Sequence, residues 1–158
     1  MNILVLCTGN SARSILLECL LRRLGGRHIA AYSAGSQPSG QVHPQSLALL
    51  MAKGYDVSGL SSKSWDVFAT KKAPQMNAVI TVCGSAASET CPIWPGTPLR
   101  AHWGVEDPAA ATGPEAPAAF QEAYDILHRR AAQFVQHDFS RMSQPDLQAH
   151  LTACGTLP

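Results

Sequence analysis

Residues 2–14, Asn2-Ile3-Leu4-Val5-Leu6-Cys7-Thr8-Gly9-Asn10-Ser11-Ala12-Arg13-Ser14, decide how this chain is read. The run from Asn2 to Leu6 predicts a short apolar strand, the pattern of a strand covered on both faces in a parallel sheet. Thr8-Gly9-Asn10 predicts a tight turn. From Ala12 to Leu24 the residues Leu16, Leu17, Leu20, Leu21 and Leu24 recur at helical spacing, Arg22 and Arg23 fall in the last turn, and Gly25-Gly26 supplies the stop. Strand, turn and helix make the first half of a βαβ unit.

The alternation continues outward. Ile29 to Ser33 predicts a second strand, and Pro44 opens a helix carrying Leu47, Leu50 and Met51 that ends at Gly54. Ala78 to Val82 and Leu99 to Trp103 predict two more strands, and Pro117 to Val135 a long helix with Phe120, Tyr124, Leu127, Ala131 and Phe134 on one stripe. The expected fold is α/β: a single doubly wound domain over residues 1–136, with a central four-stranded parallel sheet flanked by helices. Residues 137–158 form a C-terminal extension in which Ser143 caps a short helix reaching about His150. Two Pro- and Gly-rich stretches, Cys91 to Pro98 and Asp107 to Pro117, read as surface loops and candidate walls of a site.

Composition limits the function classes. A chain of 158 residues and 16.8 kDa suits one domain. With 46% hydrophobic and 15% charged residues, against about 25% charged in an average soluble protein, it can bury a core. A formal charge of +1 without a basic run argues against nucleic acid as a partner and leaves room for a small anion. Apolar runs of about six residues fall far short of the roughly 20 that cross a bilayer, and the start lacks a signal-peptide pattern, so a cytoplasmic protein with no membrane partner is expected. The five cysteines are odd in number and widely spaced, which suits reactive thiols better than a disulfide framework.

In an open α/β sheet, ligands bind beyond the carboxyl ends of the strands, where Cys7 to Ser14 would lie. Gly9 and Asn10 tolerate the backbone needed to curl successive amides of Thr8, Gly9, Asn10, Ser11, Ala12, Arg13 and Ser14 around one oxyanion at a helix N-terminus. The planar fork of Arg13 would grip two of its oxygens. At the bottom of this cradle Cys7, its pKa lowered by the amides and Arg13 and its sulfur hydrogen-bonded by Ser14, would be a thiolate nucleophile at neutral pH. Cys83, at the end of the third strand, would open a second thiol onto the same sheet edge. Asp107, before Pro108, is placed to protonate a departing oxygen, although Asp-Pro also simply starts turns and Glu106 is adjacent.

The motifs CTGNSARS at 7–14, VITVC at 79–83, Cys91-Pro92 and HWGVEDPA at 102–109 together resemble the arsenate reductases built on the low-molecular-weight protein tyrosine phosphatase fold, over about residues 2 to 136. The resemblance implies cytosolic reduction of arsenate. Cys7 attacks the oxyanion, Cys83 then attacks Cys7, and Cys91 takes the disulfide over from it, leaving a Cys83–Cys91 bond for an external reductant. It also picks Asp107 as the acid. No bound cofactor is implied; the electron donor would be thioredoxin, with glutaredoxin and glutathione as the alternative. Some relatives hold potassium with side chains matching Asn10, Glu18 and Ser33 plus an aspartate, near whose place Lys63 stands here, its ammonium a substitute for the ion.

If residues 83 to 91 were one helix, eight steps of 1.5 Å would separate the two thiols by about 12 Å, beyond the roughly 7 Å limit of a disulfide. The segment is therefore expected to rearrange on oxidation. Hydrolysis of aryl phosphates through a Cys7 phosphoenzyme is the competing activity, and an anion-binding or redox-sensing module without turnover a third. The phosphatase needs no further thiol and commonly carries aromatic residues after the Asp-Pro, where this chain has Ala109, Ala110 and Ala111. Cys19 and Cys154 read as incidental and the six histidines lack metal-ligand spacing, so no metal is expected. Lys71-Lys72 and Arg129-Arg130 read as solvated faces, and Trp65, Trp94 and Trp103 as packing residues.

Overall fold

In the computed structural model, which describes every residue except Thr90, Cys91 and Ile93, the opening strand β1 (Asn2–Cys7) runs straight into the turn and then into helix α1 (Arg13–Gly25). There follow β2 (Ala30–Gly35), α2 (Pro44–Ala52), β3 (Ala78–Thr81), α3 (Gly84–Ser88), β4 (Leu99–His102), α4 (Ala116–Val135) and α5 (Gln144–Gly155). The four strands form one sheet in the order β2-β1-β3-β4, and every pairing is parallel. The expected doubly wound α/β domain is thus observed.

Alternate residues of β1 serve two cores. Ile3 and Val5 pack with Leu16, Leu17, Leu20 and Leu21 of α1 and with Phe120, Leu127 and Phe134 of α4, whereas Leu4 and Leu6 face Phe68, Met76, Val79 and Trp94. This is why β1 tolerates no polar residue after Asn2: a strand covered on both faces has no solvated side. Each fully buried leucine contributes about 2 kcal/mol of transfer free energy, which fixes α1 over the sheet and with it the direction of its first turn.

Residues 137–158 carry more order than their sequence pattern predicts. Ser143 does cap α5, its hydroxyl accepting from the Asp146 amide, but the helix continues past His150 to Gly155. Leu151 and Cys154 are buried against the main core, and Trp103 Nε1 donates to the Leu151 carbonyl at 2.9 Å, so packing rather than local propensity carries the extra turn. Gln148 covers the open edge of β4, its side-chain amide accepting from Arg100 N and donating to Arg100 O. Arg130, expected on a solvated face, is only 7% exposed.

Candidate active site

Cys7 ends β1 beside Gly35 of β2, and Cys83 follows Thr81 of β3, so parallel pairing brings both thiols to one sheet edge. Between Cys7 and α1 the chain curls tightly. Asn10 takes φ +44, in the left-handed region where asparagine is among the few side chains tolerated. Three loop carbonyls are bonded to the surrounding chain: Thr8 O accepts from Gln37 N, Gly9 O from Ser39 N and Ser62 Oγ, and Ser11 O from His43 N and Ser46 Oγ, each at about 3 Å. The amides of Asn10, Ser11 and Ala12 have no acceptor among the described residues. Helix α1 has Ala12 as its N-cap, with no capping side chain and no acidic residue in its first turn, so its N-terminal donors and dipole stay available to an anion. Glycine at 35 is required, since a Cβ there would stand 2.4 Å from the Thr8 carbonyl.

Arg13 lies over this cradle. Its NH1 donates to Val105 O at 2.9 Å and its NH2 meets Asp107 Oδ1 at 3.3 Å. The arginine side chain is 12% exposed and the Asp107 side chain 47%, so the acid stands at the mouth and the guanidinium within. Arg13 Nε is buried without a partner among the described residues, a donor left over for a bound oxyanion. Asp107 also caps the short turn Pro108–Ala110 through Ala109 N, so both readings of Asp-Pro hold at once.

Cys7 and Cys83 stand close enough to titrate as one pair. Cys83 is bonded to Thr8 Oγ1 at 3.5 Å and receives the Ala86 amide at 3.4 Å, as the capping residue of α3. The neighbouring Cys7 thiol first, and then these bonds, hold the Cys83 thiol down at about 5. Cys7 moves the other way: the neighbouring Cys83 and burial push it well above the ordinary thiol range, against the opposing pull of Arg13 and the Gly9 amide. The expectation treated Cys7 alone, and beside Cys83 it belongs to a pair. The cradle and Arg13 favour negative charge at Cys7, the Thr8 hydroxyl and Ala86 amide favour it at Cys83, and the pair keeps one proton between them. Ser14 is corrected. Its Oγ accepts from Asn10 Nδ2 at 2.9 Å and makes no bond to Cys7.

Behind the turn, Asn10 Nδ2 also donates to Ser33 Oγ at 2.9 Å, Ser33 donates to Glu18, and Glu18 pairs with Arg22 at 2.6 Å. Lys63 completes the group. Its amide donates to Asn10 Oδ1, and its ammonium to the carbonyls of Ser33 and Ser61 at 3.0 and 2.9 Å. Asn10 and Ser33 thus already use their polar atoms on each other and on their neighbours, and a cation stands where a carboxylate ligand would be needed. These residues do not fit a potassium ion, and no step is assigned to one. Among the described residues no cluster suits any other metal.

The structure therefore brings Cys7, the turn 8–14, Cys83 and Asp107 to one place, with Arg13 touching both the cradle and the acid. Cys91 lies outside the described residues. Helix α3 ends at Ser88, after which Glu89 is extended, so the geometry imagined for one helix from 83 to 91 does not apply. Cys19 and Cys154 are buried, and burial pushes their thiols up to about 12 and about 11, the behaviour of packing residues. Sequence reasoning did not find Val105, whose carbonyl anchors Arg13; a backbone acceptor leaves no signal in side-chain patterns.

A family model described as low molecular weight phosphotyrosine protein phosphatase matches residues 2–144. An arsenate reductase of Bacillus subtilis is 35% identical over 133 residues, covering 83% of this chain and 92% of its own. A solved arsenate reductase in an oxidized state superposes with a TM-score of 0.69 at 25% identity, over 85% of this chain and 96% of that one. A thioredoxin-dependent arsenate reductase of Corynebacterium glutamicum gives 0.57 at 26% identity, over 80% of this chain and 57% of that one. No helix among the described residues is long and apolar enough to cross a membrane.

Proposed function

The chain belongs to the low molecular weight phosphotyrosine protein phosphatase family, and from that premise we propose that it reduces arsenate to arsenite, with Cys7 as nucleophile and Cys83 and Cys91 as a thiol relay. The observation that carries this reading is the second thiol, Cys83, which the parallel pairing of β1 and β3 brings beside Cys7 at the floor of an oxyanion cradle. Hydrolysis of a phosphoenzyme needs no second thiol beside its nucleophile. Nor does Pro108 lead into aromatic residues that would grip a ring, since Ala109, Ala110 and Ala111 follow.

Arsenate enters the cradle with its oxygens on the free amides and on Arg13. Cys7 passes its proton to the neighbouring Cys83 and attacks arsenic. A sulfur–arsenic bond forms, an arsenic–oxygen bond breaks, and the departing hydroxyl takes a proton from Asp107 and leaves as water. Cys83, after losing its proton to solvent, attacks the Cys7 sulfur. A disulfide forms, the sulfur–arsenic bond breaks, and its electron pair stays on arsenic, which falls from +5 to +3 and leaves as arsenite. Cys91 then attacks Cys83 and releases Cys7 as a thiolate. An external dithiol protein of the thioredoxin kind reduces the Cys83–Cys91 bond, which places the cycle in a reducing compartment such as the cytoplasm.

Cys83→Ser is the direct test. With arsenate in a single turnover it should form the Cys7 adduct and release no arsenite. Arsenite released by this variant at the wild-type rate would overturn the relay, and aryl phosphate turnover by wild-type protein that makes no arsenite would establish the phosphatase instead.

A further inference from the structure

Arg130 is the one buried arginine that the chemistry above leaves without a task. From the inward face of α4 its guanidinium bridges two carbonyls, Nε donating to Leu157 O at 2.8 Å and NH1 to Gly104 O at 3.0 Å. Gly104 begins the stretch that carries the acid. One residue on, Val105 receives Arg13 on its carbonyl at 2.9 Å and donates from its amide to Val82 O at 3.2 Å; three residues on, Asp107 meets Arg13 at 3.3 Å. The acid-bearing stretch is therefore held by two arginines, one inside the cradle and one outside it.

The outer hold stands on α5. Trp103, just before Gly104, is bound through its indole to Leu151, and a Cβ on Gly155 would come within 2.5 Å of His102 O and 2.6 Å of Trp103 Cδ1. Arg129 donates to Pro158 O at 2.8 Å beside it. Gln148, Leu151, Gly155 and Leu157 all lie past residue 144, where the match to the family model ends. This chain thus supports Asp107 from a segment beyond that match.

We infer that Arg130 is a positioning residue: by tying residues 144–158 to the Gly104 carbonyl it fixes where Asp107 stands relative to Arg13 and the cradle. The fork of a guanidinium holds two carbonyls in a set geometry, which an ammonium cannot do. The inference rests on Asp107 being the acid of the first step, and the test separates the two.

The experiment is a double-mutant cycle of Arg130→Met and Asp107→Asn, read as the rate of arsenite formation in a single turnover at saturating arsenate, together with the arsenate concentration giving half that rate. Arg130→Met should slow the saturated rate about tenfold while moving the half-saturating concentration less than about twofold, because the cradle amides are untouched. In the Asp107→Asn background the same change should cost less than about twofold. Arg130→Lys, which keeps the charge and loses the bridge, should fall between wild type and Arg130→Met, and it carries the same cycle if Arg130→Met fails to melt cooperatively. An equal loss from Arg130→Met in both backgrounds, or a parallel loss of rate and arsenate affinity, overturns the inference. An Asp107→Asn rate equal to wild type instead overturns the reading of the acid.

Discussion

Cys7 and Cys83 occupy matching places, each at the end of one of two neighbouring parallel strands and each opening a turn into a helix, yet the two turns are built differently. The first feeds a 13-residue helix, ties its carbonyls to Gln37, Ser39, His43, Ser46 and Ser62, and buries Asn10 completely. The second feeds a five-residue helix in which Ala86 alone is buried, and its capping group is the Cys83 sulfur itself. One turn offers unpaired amides on a fixed frame. The other is held by the sulfur that the proposed relay would consume. In the proposed relay, a disulfide from Cys83 to Cys7 would take the capping sulfur away from α3 and so loosen residues 83–89.

That contrast can be tested, beginning where it should be largest. Cys7→Ser should lower arsenite formation by at least about a thousandfold, because a serine hydroxyl beside Arg13 is not ionised at neutral pH and makes no reducible bond; arsenite quantitation checks it. Next comes the shared proton. The pair is neutral below about pH 5 and carries one negative charge above it, so thiolate absorbance should rise through a midpoint near 5 by one equivalent, and the second equivalent should appear only above the ordinary thiol range. In Cys7→Ser or Cys83→Ser the low midpoint should move up. An unchanged midpoint in Cys7→Ser would mean that the two thiols do not share a proton.

The structural side of the contrast is smaller. Asn10→Ala removes bonds to Ser14, Ser33 and the Lys63 amide in a buried network and puts alanine at positive φ, so it should cost about 3 kcal/mol by denaturant or thermal unfolding. Ser88→Ala, in the exposed last turn of α3, should stay within about 0.5 kcal/mol. Smallest is the dynamic difference. Amides of residues 83–89 should exchange about tenfold faster than those of 13–20 in the reduced protein and faster still after oxidation, and equal exchange in both redox states would remove the reason for the short helix.

These differences also mark what a sequence exposes. The first turn was readable because its signals are local: an apolar run, Gly9 and Asn10, then leucines at helical spacing closed by Arg22, Arg23 and the two glycines. The four parallel strands followed from the same alternation, with ends shifted by only a residue or two. The coupling of Cys7 to Cys83 was not readable, since it joins residues far apart in the chain and works against what the local cradle alone would do to Cys7. Ser14 was misread for a related reason: the left-handed backbone at Asn10 turns its amide inward and takes the serine hydroxyl first. Arg130 next to Arg129 looks like any exposed basic pair until α5 folds over it.

The central claim is that the thiolate opposite Cys7 reduces the arsenic rather than merely tuning the nucleophile. Fully reduced protein, given arsenate with no external thiol and followed by arsenite quantitation and mass mapping of disulfides, tests it most directly. One arsenite per chain together with a Cys83–Cys91 bond is the predicted result. No arsenite, with every thiol still free, would contradict it.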